Sequence, residues 1–344
     1  MSNRPEQSAY EPEETAPRTA DDPLLEEPFR ERPVIEPPST EFPGLIEAPP
    51  AALIYADTNE GPPLFQQFAR PDLPPQERIP NIGHVAILGL LALCGLFGAS
   101  LVARLGVHYH LFGVTTLTQA ATEIHYTLGT EGVFYLLTFA ECLLIFPVLW
   151  HKGLLEGLHW QGSRAFRRSG YLVAAAIACF LLALVNGMLM PGPIDAPIDR
   201  IFRMPGAAWM LFAFGVTLAP FFEEVAFRGF ILPALCTSFD WLSEKSSDEL
   251  QRPLDKDGHP QWSMPAMIVA AILTSILFAF VHADQTGYSL GPFLLLICVS
   301  LVLCWARLST RSLAASVLVH ACYNFLLFSL MFFGTSGFRH LEKM

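Results

Sequence analysis

Residues 264–282 read MPAMIVAAILTSILFAFVH, and the only ionisable group in the whole stretch is the histidine that ends it. Wound as an α-helix at 1.5 Å per residue, it approaches the ~30 Å of a bilayer's hydrocarbon core. Outward from it, comparable apolar runs recur at residues 84–103, 132–150, 171–190, 207–235, 290–305 and 313–334, separated by short polar links. Lipid offers no partner to open backbone N–H and C=O groups, so these runs are expected to be helices. A barrel would need alternating strands of ~10 residues, and none is visible. The mixed stretch 111–128, with its threonines, Gln119 and Glu123, reads as an interfacial or re-entrant helix rather than an eighth span. The expected fold class is therefore all-α: a polytopic transmembrane helix bundle of about seven spans with a disordered N-terminal tail.

Composition agrees with that reading. Hydrophobic residues make up 52% of the 344 and charged residues 15%, well below the roughly 25% charged of an average soluble domain. The charge is unevenly placed. Residues 1–80 hold 16 Asp and Glu against 6 Lys and Arg, which is 10 of the 11 net negative charges, together with 17 of the 28 prolines. The stretch 1–80 is thus expected to be a disordered, acidic, Pro-rich cytoplasmic tail, and 81–344 a transmembrane helical domain. The tail has no apolar core behind a basic start, so it is not a secretory signal. Its sign argues against nucleic acid or an anionic lipid surface as its partner. It is read as a solvated spacer, with docking of a protein partner as the alternative. Seven cysteines without CxxC spacing exclude a disulfide framework or a zinc finger.

Positive charge sets the expected orientation. Arg70 and Arg78 precede the first run; Lys152, Arg164, Arg167 and Arg168 follow the second; Lys245, Arg252 and Lys256 follow the fourth; Arg307 and Arg311 follow the sixth. All fall on one side of a seven-span chain. The other side holds Arg200, Arg203, Arg339 and Lys343, so the N-terminus is expected to be cytoplasmic. The mixed-charge loop 245–257 is expected to be solvated on the same side.

Ionisable groups inside spans stand out, because each costs at least ~2.5 kcal/mol near the bilayer centre on insertion scales. The fourth run contains Glu223, Glu224 and Arg228, the fifth ends in Phe278-Ala279-Phe280-Val281-His282, and the seventh contains His320 and Asn324. Residues four apart share a helix face, so Glu224 can pair with Arg228, and His320 stands beside Asn324. Glu223 points about 100° away from Glu224 and stays free for chemistry. Counted from assumed cytoplasmic ends, Glu223 and His282 lie at roughly 25 Å depth, Asn324 at roughly 18 Å and His320 at roughly 12 Å, which allows one shared cavity. A carboxylate held with an imidazole can take a proton from water and return it to a leaving amine. An imidazole and an amide four residues apart can hold a developing oxyanion. Glu141 and Asn186, alone in their spans, read as interhelical hydrogen-bonding groups.

These residues carry a resemblance. The patterns EExxxR, FxxxH and HxxxN, present in order as Glu223-Glu224 with Arg228, Phe278 with His282, and His320 with Asn324, resemble the CAAX-protease and bacteriocin-processing family of intramembrane endopeptidases, which includes the type II CAAX prenyl endopeptidase. The similarity spans about 170–335, a peptidase core. It implies that Glu223 and His282 activate the attacking water, that His320 and Asn324 stabilise the oxyanion, and that Glu224, Arg228 and Phe278 support the site. It further implies a membrane-associated peptide or lipidated protein as substrate, with a prenylated CAAX peptide as one candidate, and the plasma (inner) membrane of a prokaryote as the expected location.

Family members have been described both as metalloproteases and as metal-independent. Glu223, His282 and His320 would be enough ligands for zinc with an open position, so zinc is not excluded. The metal-free reading is favoured because Asn324 suits an oxyanion better than a metal. Two other functions compete: a catalytically silent scaffold or immunity protein of the same family, and a proton-coupled transporter, which would predict inverted internal repeats or paired broken helices, a symmetry the sequence does not show.

Overall fold

In the computed structural model the described residues are 79–193, 197–202, 204, 206–246 and 261–340. The expected tail, apart from residues 79 and 80, and residues 247–257 of the mixed-charge loop lie outside them, as do Arg203 and Lys343. Among the described residues there is no strand, and seven helices are long and apolar enough to cross a membrane. They are α1 (Ile82–His108), α2 (Ile124–Trp150), α3 (Ser169–Leu189), α4 (Ala207–Ser246), α5 (Met264–Val281), α6 (Leu290–Thr310) and α7 (Leu313–Gly334). The chain is an integral, multi-pass, all-helical membrane protein. Large apolar side chains such as Phe97, Leu144, Met188 and Phe280 are exposed on its outer faces, the arrangement expected where the surrounding solvent is lipid.

The core is built where α3, α6 and α7 meet. Leu172, Ala176 and Cys179 interlock there with Val299, Leu303 and Ala306, and with Ala315, Val319 and Tyr323. The fourth helix packs on α7 through its first half and on α5 through its second, and α5 lies along α6. The first two helices form a close pair. A Cβ added at Gly95 would collide with Thr138 Oγ1, and one at Gly98 would sit 2.7 Å from Leu137 Cδ1, so the approach depends on the missing side chains.

The stretch 111–128 is not one interfacial helix. It divides into a single 3-10 turn (Leu111–Gly113), a short helix (Leu117–Ala120) and the first turn of α2. Phe112 and Gly113 both have positive φ, which stops helix propagation. Glu123 then starts α2 eight residues earlier than hydropathy suggests, its Oε2 accepting the N–H groups of His125 at 2.8 Å and Tyr126 at 3.2 Å.

The fourth span is broken twice, each time near a proline. It stops at Val216 and restarts at Leu218, with Thr217 at φ −117° and ψ −72°. Pro220 lacks an N–H, and its ring excludes the carbonyl of residue 216 from normal helical pairing. The second break is a π-helical turn, Val225–Ile231, at whose end the Leu232 N–H returns to the Phe227 carbonyl, five residues back. Pro233 follows immediately.

Two short helices between α2 and α3 (Leu154–Gly157 and Gly162–Arg167) lie over the turn joining α6 to α7. The Leu313 N–H donates to the His159 carbonyl at 3.1 Å, Ser312 Oγ donates to the Gln161 carbonyl at 2.9 Å, and Arg168 Nη1 donates to the Ser309 carbonyl at 3.0 Å. Ser312 and Leu313 are fully buried as a result. The depth count that placed His320 at roughly 12 Å took Ser312 as the water surface. That starting point is itself covered by protein and is not a water surface.

Candidate active site

Three helices bring their polar groups to one point. Glu223 is the penultimate residue of the short α-helical segment Leu218–Glu224, His282 caps the C-terminus of α5, and His320 projects from the first half of α7. His282 Nε2 lies 3.7 Å and His320 Nε2 3.8 Å from the same carboxylate oxygen, Glu223 Oε2. The Glu223 side chain keeps 16% of its surface open, whereas Glu224 keeps none. Adjacent positions on the helix thus give one carboxylate that stays partly open and one sealed inside the bundle.

The sealed carboxylate anchors a network. Arg228 Nη1 donates to Glu224 Oε1 at 2.9 Å, and His320 Nδ1 meets the same oxygen at 2.9 Å. Arg228 Nη2 donates to Ser300 Oγ at 2.5 Å and to the Ser300 carbonyl at 3.1 Å. The guanidinium also sits 4.7 Å above the Phe278 ring, a cation–π contact made away from water. Among the described residues Glu224 Oε2 and Arg228 Nε remain buried without a hydrogen-bond partner.

The imidazoles are oriented from behind. A carbonyl oxygen can only accept, so the 2.8 Å contact of His282 Nδ1 with the Phe278 carbonyl fixes the proton on Nδ1 and leaves Nε2 facing Glu223. A carboxylate likewise only accepts, and Glu224 fixes the Nδ1 proton of His320. With one proton on each imidazole, both Nε2 atoms are acceptors, and each lies under 4 Å from a third acceptor, Glu223 Oε2. Such a set needs a proton donor among its members, either a water or a proton on one of the groups.

Asn324 stands one turn along α7 from His320, but its amide is engaged: Nδ2 donates to the Gly215 carbonyl at 2.7 Å, just before the break at Thr217. One N–H of that amide remains for another acceptor.

Three groups escaped the sequence reading. Glu131 and Tyr135 on α2 form a pair, with Tyr135 Oη donating to Glu131 Oε1 at 3.1 Å. The Tyr135 ring stacks on Phe222 at 5.1 Å and Phe214 at 5.8 Å, and Glu131 is near enough to interact electrostatically with Glu223 and His282. The i,i+4 spacing of this pair was its only sequence signal, and the span had been started one residue after Glu131. The third is Arg307, assigned above to a cytoplasmic link. It lies in the last turn of α6, 2% exposed, with Nε donating to the Arg228 carbonyl at 3.2 Å and Nη2 to the Leu158 carbonyl at 3.4 Å. It is a structural cation and drops out of the orientation count. Glu141, expected to bridge helices, keeps one buried carboxylate oxygen without a partner among the described residues.

The donor set considered for zinc is assembled in the sense that both Nε2 atoms face Glu223. Even so, among the described residues no group of three or more His, Cys, Asp or Glu side chains is placed to hold a metal ion.

Fold and site together define a class: a polytopic membrane protein with a cluster of carboxylates and imidazoles enclosed between spans. Within that class, residues 205–326 match the family model described as Rce1-like, type II CAAX prenyl endopeptidase, and this matched part holds all three motifs. The match begins just before α4 and ends within α7, leaving α1, α2 and α3 outside it. Comparison with curated proteins gave no match, and neither did comparison with solved structures.

Proposed function

We propose that the protein is an intramembrane endopeptidase that hydrolyses a peptide bond of a membrane-associated substrate, with Glu223 as the base that activates water. The observation that carries the reading is the convergence of His282 Nε2 and His320 Nε2 on Glu223 Oε2. A water held among these three groups donates to Glu223 and presents its lone pair to a substrate carbonyl. As the water oxygen bonds to the carbonyl carbon, its proton passes to Glu223 and the C=O electron pair moves onto oxygen. The oxyanion takes the free N–H of Asn324 and an Nε2–H of His320. That Nε2–H is present when the proton shared by the three groups sits on His320, whose Nδ1 proton stays with Glu224. Collapse breaks the C–N bond, and Glu223, with His282 alongside, returns the proton to the leaving amine.

The metal-free version is the one proposed. Asn324 completes an oxyanion site as an amide donor and is a poor metal ligand. The family match supports a lipidated substrate, with a prenylated CAAX-type peptide as the first candidate. A cytoplasmic N-terminus remains the proposed orientation, on the loop charges left after Arg307 is removed. The direct test is processing of a farnesylated CAAX peptide by the purified parent and by Glu223→Ala. Cleavage by the parent and none by the variant is expected; equal cleavage by both would sink the assignment.

A further inference from the structure

We propose that Arg307 is a positioning residue of this site: it holds the widened turn of α4 in register and so, through Arg228 and Glu224, sets His320 against Glu223. The kinetic part of its test rests on the peptidase reading; the structural part does not.

In an α-helix the carbonyl of each residue takes the N–H four positions on. Across Val225–Ile231 the pairing slips to five, with the Leu232 N–H on the Phe227 carbonyl. Continued in that register, the Arg228 carbonyl would look to residue 233, which is proline and has no N–H to give. The missing donor comes from another span. Arg307 Nε–H reaches that carbonyl at 3.2 Å, from a side chain 2% exposed. Its Nη2 reaches at the same time to the Leu158 carbonyl, so one planar fork ties α4, α6 and the segment over the α6–α7 turn together. A buried guanidinium carries a large desolvation penalty, and here its hydrogen bonds go to carbonyls, which marks a structural task.

The task bears on the chemistry because the residue held is Arg228. Its carbonyl is fixed by Arg307, its side chain by Glu224 and Ser300, and Glu224 Oε1 is the atom that orients His320. If the turn relaxed to ordinary α-helical winding, side chains on either side of it would change their relative bearing by up to about 100°. Arg228 would keep its one-turn spacing to Glu224 but move off Ser300, and the pair would no longer be pinned where Glu224 Oε1 aims the Nε2 of His320.

The experiment is a double-mutant cycle on the full chain in detergent, comparing the parent with Arg307→Met, Pro233→Ala, both together, and Arg307→Lys. Alanine at 233 returns a backbone N–H, so the carbonyl no longer needs the guanidinium. With a farnesylated CAAX peptide, Arg307→Met should lower kcat by up to about 10²-fold with KM nearly unchanged, the signature of misplaced groups rather than lost binding. Its melting midpoint should fall by about 5 °C. Arg307→Lys should recover part of both. In the Pro233→Ala background, the further effect of Arg307→Met should shrink to less than half on both measures. Losses that combine independently would overturn the proposal, as would an unchanged kcat in Arg307→Met. If no preparation, the parent included, cleaves the peptide, the functional reading fails and the melting cycle alone decides: non-additive shifts uphold the role of Arg307 and additive shifts reject it. Should Arg307→Met not fold, Arg307→Lys with and without Pro233→Ala supplies the same cycle.

Discussion

Glu223 and Glu224 are neighbours in sequence and opposites in environment, and the difference is measurable. Glu224 is fully buried against Arg228. Glu224→Gln leaves that guanidinium without its charge partner and should destabilise the protein by about 3–5 kcal/mol, read as a fall in melting temperature. Glu223→Gln removes a carboxylate that is partly open and faces the two Nε2 atoms. It should leave the melting temperature within a few degrees while lowering kcat by about 10²–10⁴-fold, the range of general acid–base catalysis. The reverse pattern would exchange the two roles. Asn324→Ala should lower kcat by about 10²–10³-fold if the amide holds the oxyanion, measured on the same peptide. At this scale the sequence was informative wherever partners sit one helical turn apart: the Glu224–Arg228 pair follows from spacing alone. Arg307 was not legible, because its partners are carbonyls 79 and 149 positions away. A charge at the end of an apolar run looks the same whether it enters water or turns back into the bundle.

The helices themselves were read well, since hydropathy located all seven spans, and the errors fall where local backbone chemistry overrides composition. Glu123 begins α2 early by capping it, and Glu123→Ala should cost about 1 kcal/mol, visible as faster hydrogen exchange in the first turn of that helix. The breaks in α4 were announced by Pro220 and Pro233, yet an apolar average treats proline as one more uncharged residue. What the average cannot contain is the remedy for the missing N–H groups, which here comes from a different span. Helix pairing is equally specific. Gly95→Leu places a branched side chain against Thr138 and the backbone of α2. It should separate α1 from α2, and a loss of disulfide cross-linking between cysteines engineered into the facing surfaces would report it.

For the molecule as a whole, the question of metal can be decided without a structure. A preparation shown by elemental analysis to be metal-free should keep its full activity after chelation; activity lost on chelation and restored by zinc would reassign Glu223, His282 and His320 as ligands. The orientation has its own test, because an epitope at the N-terminus should be cleaved by protease added from the cytoplasmic face alone. The three segments that carry the motifs lie within the matched 205–326, whereas the Glu131–Tyr135 pair stands on α2, outside it. Variation among relatives in what is cut is therefore expected to track α2 more than the three motifs.

The widened turn of α4 also has a meaning in terms of insertion and deletion. It accommodates one residue more than regular winding would, so the chain above and below it runs out of phase. Deleting a single residue inside 225–231 would let the turn return to regular winding while Leu232 to Ser246 kept their facing, whereas the same deletion in an unbroken span would swing everything beyond it by about 100°. A relative with a one-position gap there is expected to have no proline at the place of Pro233, and no requirement for a cation at the place of Arg307.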